Sequence, residues 1–244
     1  MASPAFLEVR SLGVRASSRW IVQDVSFEAR VGEVTAVIGP NGAGKTTLLE
    51  TLVGLRPANA GTIRADARLL AGFGDFAKTF AFLPDAGALP PEAGVRTLVE
   101  YATTRSARPL GLERLREGLA IEPLLSKPVG ILSRGEHQRV ALFCTLVLGR
   151  RIAVLDEPFS AFDPLQLREV LATIREVARA DTAVVASVHQ LADAEQIADR
   201  ILLLADGRTL AFGDPNALKA KAGRPEASLE EVFVTLLEET RRAS

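Results

Sequence analysis

Cysteine is almost missing: Cys144 is the only one in the 244-residue chain. An intrachain disulfide is therefore excluded, and a reducing compartment is expected. Charge of one sign is missing too. The 29 basic and 30 acidic residues leave a formal net charge of −1, which removes any global electrostatic case for nucleic acid or an anionic membrane surface. No run of about 18 apolar residues occurs, so no transmembrane helix is expected. The longest apolar stretch, residues 140–148, is broken by Thr145. The start, MASPAFLEVR, lacks the basic segment and apolar core of a secretory signal. If the protein works at a membrane, another chain is expected to span it. Glycine and proline are at ordinary levels, and 48% of residues are hydrophobic; collagen-like, low-complexity and disordered chains are thereby excluded. A chain of this length buries enough surface to fold without a metal or disulfide staple.

Three short apolar runs rich in β-branched residues stand out, at 34–38, 152–155 and 183–187. They lack the apolar–polar alternation of a half-solvated strand and read as buried strands of a parallel sheet. Each leads into a helical pattern, at 45–53, 164–178 and 190–197, so the fold is expected to be α/β with crossover connections. Residues 6–10, 25–30, 62–65 and 201–212, the last interrupted at Asp206 and Gly207, read as antiparallel strands with tight turns. Between 85 and 132, helical patterns at 95–105 and 112–119 sit among prolines and glycines, which suggests an inserted helical subdomain. The tail at 228–242 reads as an amphipathic helix opened by a capping box of Ser228 and Glu231.

The densest chemistry follows the first apolar strand. Gly39, Pro40, Asn41, Gly42, Ala43, Gly44, Lys45, Thr46 and Thr47 form a G-x-x-x-x-G-K-T loop opening a helix. Glycines let successive N–H groups converge on one anion, and the helix adds its positive end. Lys45 can reach β- and γ-phosphates, and the Thr46 hydroxyl can hold Mg²⁺. The strand at 152–155 ends in Asp156 and Glu157. This pair suits an Mg²⁺-dependent nucleotidase: Asp156 for the metal, Glu157 to polarise the attacking water. In Leu132-Ser133-Arg134-Gly135-Glu136-His137-Gln138-Arg139-Val140, a capping box of Ser133 and Glu136 marks a helix start, but it leaves Gly135, Gln138 and Arg139 unexplained.

That last segment resembles the LSGGQ signature of ABC ATPases. The order of the rest agrees: Walker A at 39–46, Walker B at 152–157, a D-loop-like Ser160-Ala161-Phe162-Asp163, and an H-loop-like His189. The resemblance runs from about residue 6 to 215. It implies a P-loop core with a mainly parallel sheet, an antiparallel β subdomain and a helical subdomain at about 86–150, all in one ATP-binding domain over 1–244. It also implies an ATP-hydrolysing subunit that powers a transporter, with ATP and Mg²⁺ as cofactors. Two such subunits, identical or not, would close head to tail on ATP. Ser133 and Gly135 of one would face the γ-phosphate held by Lys45 of the other, and Asp163 would help join them. Glu157 and His189 would be catalytic. A separate transmembrane permease would be the further partner, placing the chain at the cytoplasmic face of the membrane without direct lipid insertion or a nucleic-acid partner. A soluble ABC ATPase acting on nucleic acid or ribosomes is the alternative. Against it stand the short spacer between Walker A and the signature, and a lone cysteine where zinc insertions would need several.

Three positions depart from the family pattern. Ala16 stands where an adenine-stacking aromatic is usual; nearby Trp20 reads either as its substitute or as edge packing. Asp85 stands where the Q-loop glutamine is usual, and reads either as a further Mg²⁺ ligand or as a loop residue. Arg134 stands where glycine is common, at a place that tolerates other residues. Val95, Leu98, Val99 and Tyr101 read either as the lining of a permease groove or as core.

Overall fold

The computed structural model describes residues 5–85, 89–108 and 111–243. Two sheets organise it. The larger has six strands in the order β10-β9-β3-β8-β7-β6: β3 (Val34–Ile38), β6 (Phe80–Leu83), β7 (Ile152–Leu155), β8 (Ala183–Val188), β9 (Arg200–Ala205) and β10 (Arg208–Gly213). Pairings from β6 through β7, β8 and β3 to β9 are all parallel, and only β10 runs antiparallel, to β9. The smaller sheet is antiparallel, in the order β2-β1-β4-β5, from β1 (Ala5–Ala16), β2 (Arg19–Arg30), β4 (Ala60–Ala65) and β5 (Arg68–Leu69).

The apolar runs, without apolar–polar alternation, follow from burial on both faces. Val34, Ala36 and Ile38 pack into one core with Ala153, Leu155, Val184, Ala186, Ile201 and Leu203. Their chain neighbours Val37, Ile152, Val154, Val185, Leu202 and Leu204 pack into a second core on the other face. Successive side chains point to opposite faces, and here both faces are covered. The second core joins the parallel sheet to the small sheet and to α1 (Lys45–Leu52). The first joins it to α3 (Val95–Thr104), α4 (Leu112–Gly118), α5 (Arg134–Leu146), α6 (Pro164–Arg179), α7 (Leu191–Ile197), α8 (Pro215–Lys221) and α9 (Leu229–Ala243).

Most of the expected elements appear where the pattern places them. The differences are physical. The run at 201–212, expected to be antiparallel, is so only between its two halves; β9 lies parallel to β3 and belongs to the main sheet. β1 and β2 extend well beyond 6–10 and 25–30, because a bulged, partly solvated hairpin needs no strict alternation. α2 (Phe73–Thr79) buries no residue, and so shows no apolar stripe to read. Val95 and Val99 are fully buried core, Leu98 packs partly against it, and Tyr101 is exposed beneath the Arg105 guanidinium. The expected helical subdomain contains α3, α4 and α5; residues 86–88 and 109–110 of it lie outside the described residues.

Candidate functional site

The glycine-rich loop leaves the buried end of β3 and enters α1 through Gly44, whose φ of 96° is left-handed. A side chain at Gly39 would sit 2.2 Å from the Leu204 carbonyl oxygen of β9, so this glycine is imposed by packing. Pro40, Asn41, Gly42 and Thr46 are exposed, while Gly39 and Ala43 are buried. Lys45 folds back along the loop. Its ammonium donates to the carbonyl oxygens of Gly39 (2.9 Å) and Pro40 (3.3 Å). Burial pulls its pKa below the ordinary lysine value, and the charges of Glu157 and Asp156 push the other way. The two carboxylates therefore lie within the field of the loop's cation. The Thr47 carbonyl accepts from the Thr51 hydroxyl one turn on.

Asp156 and Glu157 are held by a residue to which sequence reasoning assigned no role. The Ser187 hydroxyl, fully buried on β8, donates to Asp156 Oδ1 (2.6 Å) and accepts from the Glu157 backbone N–H (2.7 Å). A polar residue inside the apolar run AVVASV was the available signal. The Asp156 N–H donates to Leu83 O of β6, so the residue is held from both neighbouring strands, its backbone by β6 and its carboxylate by Ser187 of β8. Glu157 has φ 49°, a costly conformation for a residue with a side chain, and one that clusters at functional sites. Its Oε1 lies 2.5 Å from His189 Nε2 at the end of β8. Glu157, Ser187 and His189 line a cavity of about 620 Å³ together with Ser160, Phe162 and Asp193.

Asp156 Oδ2 is buried and has no partner. A buried, ionisable oxygen left unbonded is expensive, and a cation beside it removes the cost. With the Thr46 hydroxyl as a second hard oxygen donor, the residues present fit Mg²⁺, which takes few protein ligands and keeps waters. Among the described residues no cluster of three or more His, Cys, Asp or Glu forms a dedicated metal cage. Asp85 lies exposed two residues beyond the end of β6, on the sheet edge where β7 delivers Asp156.

Ser133 N-caps α5 through the expected capping box: its hydroxyl accepts from the Glu136 N–H (3.3 Å), and its own N–H donates to Glu136 Oε2 (2.9 Å). The Glu136 carboxyl also takes the Lys127 ammonium at 2.7 Å; this bond first, then the Ser133 N–H, holds its pKa down to about 2. A side chain at Gly135 would press on the Ala161 carbonyl at 3.2 Å and on Gln166 Oε1 at 3.3 Å, so both neighbours would have to give by a few tenths of an ångström. Gln138 donates to Pro158 O, and Arg134 to the Ser160 hydroxyl. The signature helix is thereby tied to the segment after Walker B. Asp163 N-caps α6, its Oδ1 accepting from Leu165 and Gln166 N–H groups. Among the described residues no hydrogen bond joins the Ser133–Gly135 segment to the phosphate loop.

Comparison with known proteins settles the ancestry. The family model described as ABC transporter matches residues 22–160, more than half of the chain. This chain belongs to the ABC transporter family. The hemin import ATP-binding protein HmuV of Gloeobacter violaceus is 37% identical over 227 residues, covering 86% of this chain and 82% of the relative. The Fe(3+) ions import ATP-binding protein FbpC 2 of Rhodococcus jostii is 32% identical over 220 residues; the alignment spans 87% of this chain but 63% of that relative's length. A solved structure of an ATP binding subunit of an ABC transporter superposes with a TM-score of 0.87 at 30% identity, over 95% of this chain and 99% of its own. The expected ABC ATPase fold is thus the fold observed, and the chain is an ABC-type ATP hydrolase of transport systems. Of the ABC motifs read from sequence, the structure brings Lys45, Asp156, Glu157 and His189 together, and sets Ser133 and Gly135 on a separate helix end.

Proposed function

We propose that this chain is one ATP-binding unit over 1–244, with its helical subdomain at about 86–150, and that it powers a transporter by closing on ATP head to tail with a second ATP-binding subunit. The observation that carries the reading is the Ser187 clamp. It sets Asp156 and Glu157 side by side at the end of β7, within the field of Lys45. In this reading residues 39–47 cradle the triphosphate, with loop N–H groups and Lys45 exchanging their internal carbonyl partners for phosphate oxygens. Mg²⁺, held by Thr46 and Asp156 with Asp85 as a further oxygen donor, would neutralise the charge between β- and γ-phosphates. Glu157 accepts a proton from water as its oxygen attacks the γ-phosphorus, and the bond to the bridging oxygen breaks to release ADP. His189 orients Glu157 and stabilises charge on the transferring group.

The second subunit supplies what the cradle lacks. Pro40, Asn41, Gly42 and Thr46 are open to solvent, and Ser133 is exposed at the N-terminus of a 13-residue helix. Both surfaces suit opposite sides of one triphosphate, with Asp163 near the seam. Hydrolysis removes the γ-phosphate contacts and loosens the pair, a population shift driven by differential contacts. A separate transmembrane permease would convert that motion into transport and hold the chain at the cytoplasmic face. Among the described residues no helix is long and apolar enough to cross a membrane. The near-zero net charge gives no anchor to lipid and no drive towards nucleic acid.

The test is Glu157→Gln. The amide keeps shape but cannot take the proton, so ATP binding is expected to persist while turnover falls by a hundredfold or more, on the order of a lost general base. Size-exclusion chromatography with ATP and Mg²⁺ is expected to show a dimer. A strict monomer at micromolar concentration would reject the head-to-tail reading.

A further inference from the structure

The start of α5 carries a negative charge that its proposed ligand would oppose. Glu136, the third residue of the helix, spends one carboxylate oxygen on the capping box: Oε2 accepts the Ser133 N–H at 2.9 Å. An amide oxygen serves a capping box as a carboxylate does, so the cap does not call for the charge. A first-turn carboxylate is favoured by the free N–H groups of the helix end, and those are the groups that an incoming phosphate would take. The Lys127 bond is the first of the causes that hold the Glu136 carboxyl down to about 2, so at neutral pH the charge cannot be shed by taking up a proton. Lys127 meets it from a fixed position. Its ammonium lies 2.7 Å from Glu136 Oε1, the oxygen that the cap leaves over. The turn that carries Lys127 is pinned on both sides. Lys127 N–H donates to Leu124 O (2.9 Å), Lys127 O accepts from Val95 N–H at the start of α3 (3.0 Å), and Val129 N–H donates to Ala93 O (2.9 Å). Gly94 and Pro128 pair across the same turn. Arg134, the nearer cation in sequence, donates to the Ser160 hydroxyl instead.

We propose that Lys127 is a positioning residue for ATP-driven closure: by cancelling the Glu136 carboxylate, it lets the helix start at Ser133 approach the terminal phosphate held by the second subunit. The inference rests on the head-to-tail reading. The Ser133 hydroxyl accepts the Glu136 N–H at 3.3 Å, so its own hydrogen remains free to be donated to a phosphate oxygen. An unpaired carboxylate one helical turn behind that hydroxyl would repel the polyanion, and more strongly at a closed interface than in open water. With Lys127 in place the pair is neutral, and the helix end meets the phosphate with its N–H groups alone. Lys127 touches no phosphate in this account; it acts through Glu136.

A double-mutant cycle tests this in the Glu157→Gln chain, which is expected to keep ATP without turning it over. Dimer dissociation constants with saturating ATP and Mg²⁺ are read by sedimentation velocity. Lys127→Met keeps the apolar stem and drops the charge; it is expected to weaken the dimer about tenfold, from two like-charge contacts per dimer. Lys127→Arg keeps the charge and should stay within about threefold of the parent. Adding Glu136→Gln to Lys127→Met should bring the dimer back to within about twofold, because the amide keeps the cap and removes the repulsion. The Lys127→Met defect, relative to the parent, should also shrink towards 1 M salt, where the Debye length falls to about 3 Å. Nucleotide affinity of the single chain, measured too dilute to dimerise, should not change, since residues 39–47 are untouched. A double variant as weak as Lys127→Met alone makes Lys127 a structural strut and overturns the inference, as does a Lys127→Met chain that dimerises like the parent. If the Glu157→Gln parent itself stays monomeric with ATP, the head-to-tail reading falls and the inference with it.

Discussion

Replacing Ser187 by alanine tests the construction of the catalytic end directly. The hydroxyl is fully buried, as is Asp156, and it serves two groups at once. Its loss strands the Glu157 N–H and the second Asp156 oxygen, the first being unpartnered already. Each buried polar group left without a partner costs about 1–3 kcal/mol. The pair should therefore cost about 2–6 kcal/mol, with no offset from the methyl, which fits the vacated space. For a chain of this size 1 kcal/mol moves the melting temperature by about 2–4 °C, so Ser187→Ala should melt about 4–24 °C below the parent. Catalysis should suffer separately. Glu157 adopts its left-handed backbone with its N–H tied to Ser187, and once released it relaxes away from the attacking water. A misplacement of about 1 Å costs on the order of a hundredfold in turnover. Differential scanning fluorimetry and a steady-state ATPase assay well below the melting point read the two effects independently. A melting shift under about 2 °C with unchanged kcat would refute the clamp.

Three further outcomes are expected. Gly39→Ala forces a methyl to 2.2 Å from Leu204 O, and should cost about 1–3 kcal/mol as an overpacked position; Gly42→Ala meets nothing and should cost about 1 kcal/mol through its positive φ alone, a contrast that urea unfolding resolves. Glu136 is pulled from 4.5 to about 2 in the fold; its contribution to stability is whole above pH 4.5 and drains away between 4.5 and about 2, so Glu136→Gln should lose less stability than the parent on acidification, by a modest margin because the pair is at the surface. Asp85→Ala should raise the Mg²⁺ concentration needed for half-maximal turnover, and Asp85→Gln should restore much of it; an unchanged Mg²⁺ titration removes Asp85 from the metal site.

What was legible in the sequence is what rests on local pattern. β3 and β7 coincide with their apolar runs because burial on both faces calls for apolar side chains at successive positions, with Thr35 the one polar residue in the pair. Ser133 and Glu136 announced α5 through a reciprocal pair three residues apart. Less legible was whatever depends on a distant partner. Nothing local to residues 201–205 says that they will lie parallel to β3. The role of Ser187 needs Asp156 and Glu157 brought from thirty residues upstream. Asp163 read as an interface residue, and the fold also employs it as the cap of α6; both uses need the same carboxylate at a helix start. The Arg15–Trp20 cation–π contact is invisible in a linear reading because a hairpin turn separates its members.

The β9–β10 turn carries a lesson for anyone wishing to modify this protein. At Asp206 and Gly207 it looks like an ordinary exposed hairpin tip, the usual place to graft a tag, a fluorophore or a foreign peptide. Yet the Gly207 N–H donates to Ala43 O inside the phosphate loop, its carbonyl accepts from Gln23 N–H, and a side chain on it would strike Ile21 O at 2.3 Å. The tip is wedged between β2 and the phosphate loop and ties the two together. Insertions there would therefore appear as lost nucleotide affinity in a chain that still folds. For grafting, the exposed position Ala67 is the safer address: among the described residues β5 beyond it pairs with β4 alone, and only the preceding Asp66 N–H ties the turn to Phe6 O of β1.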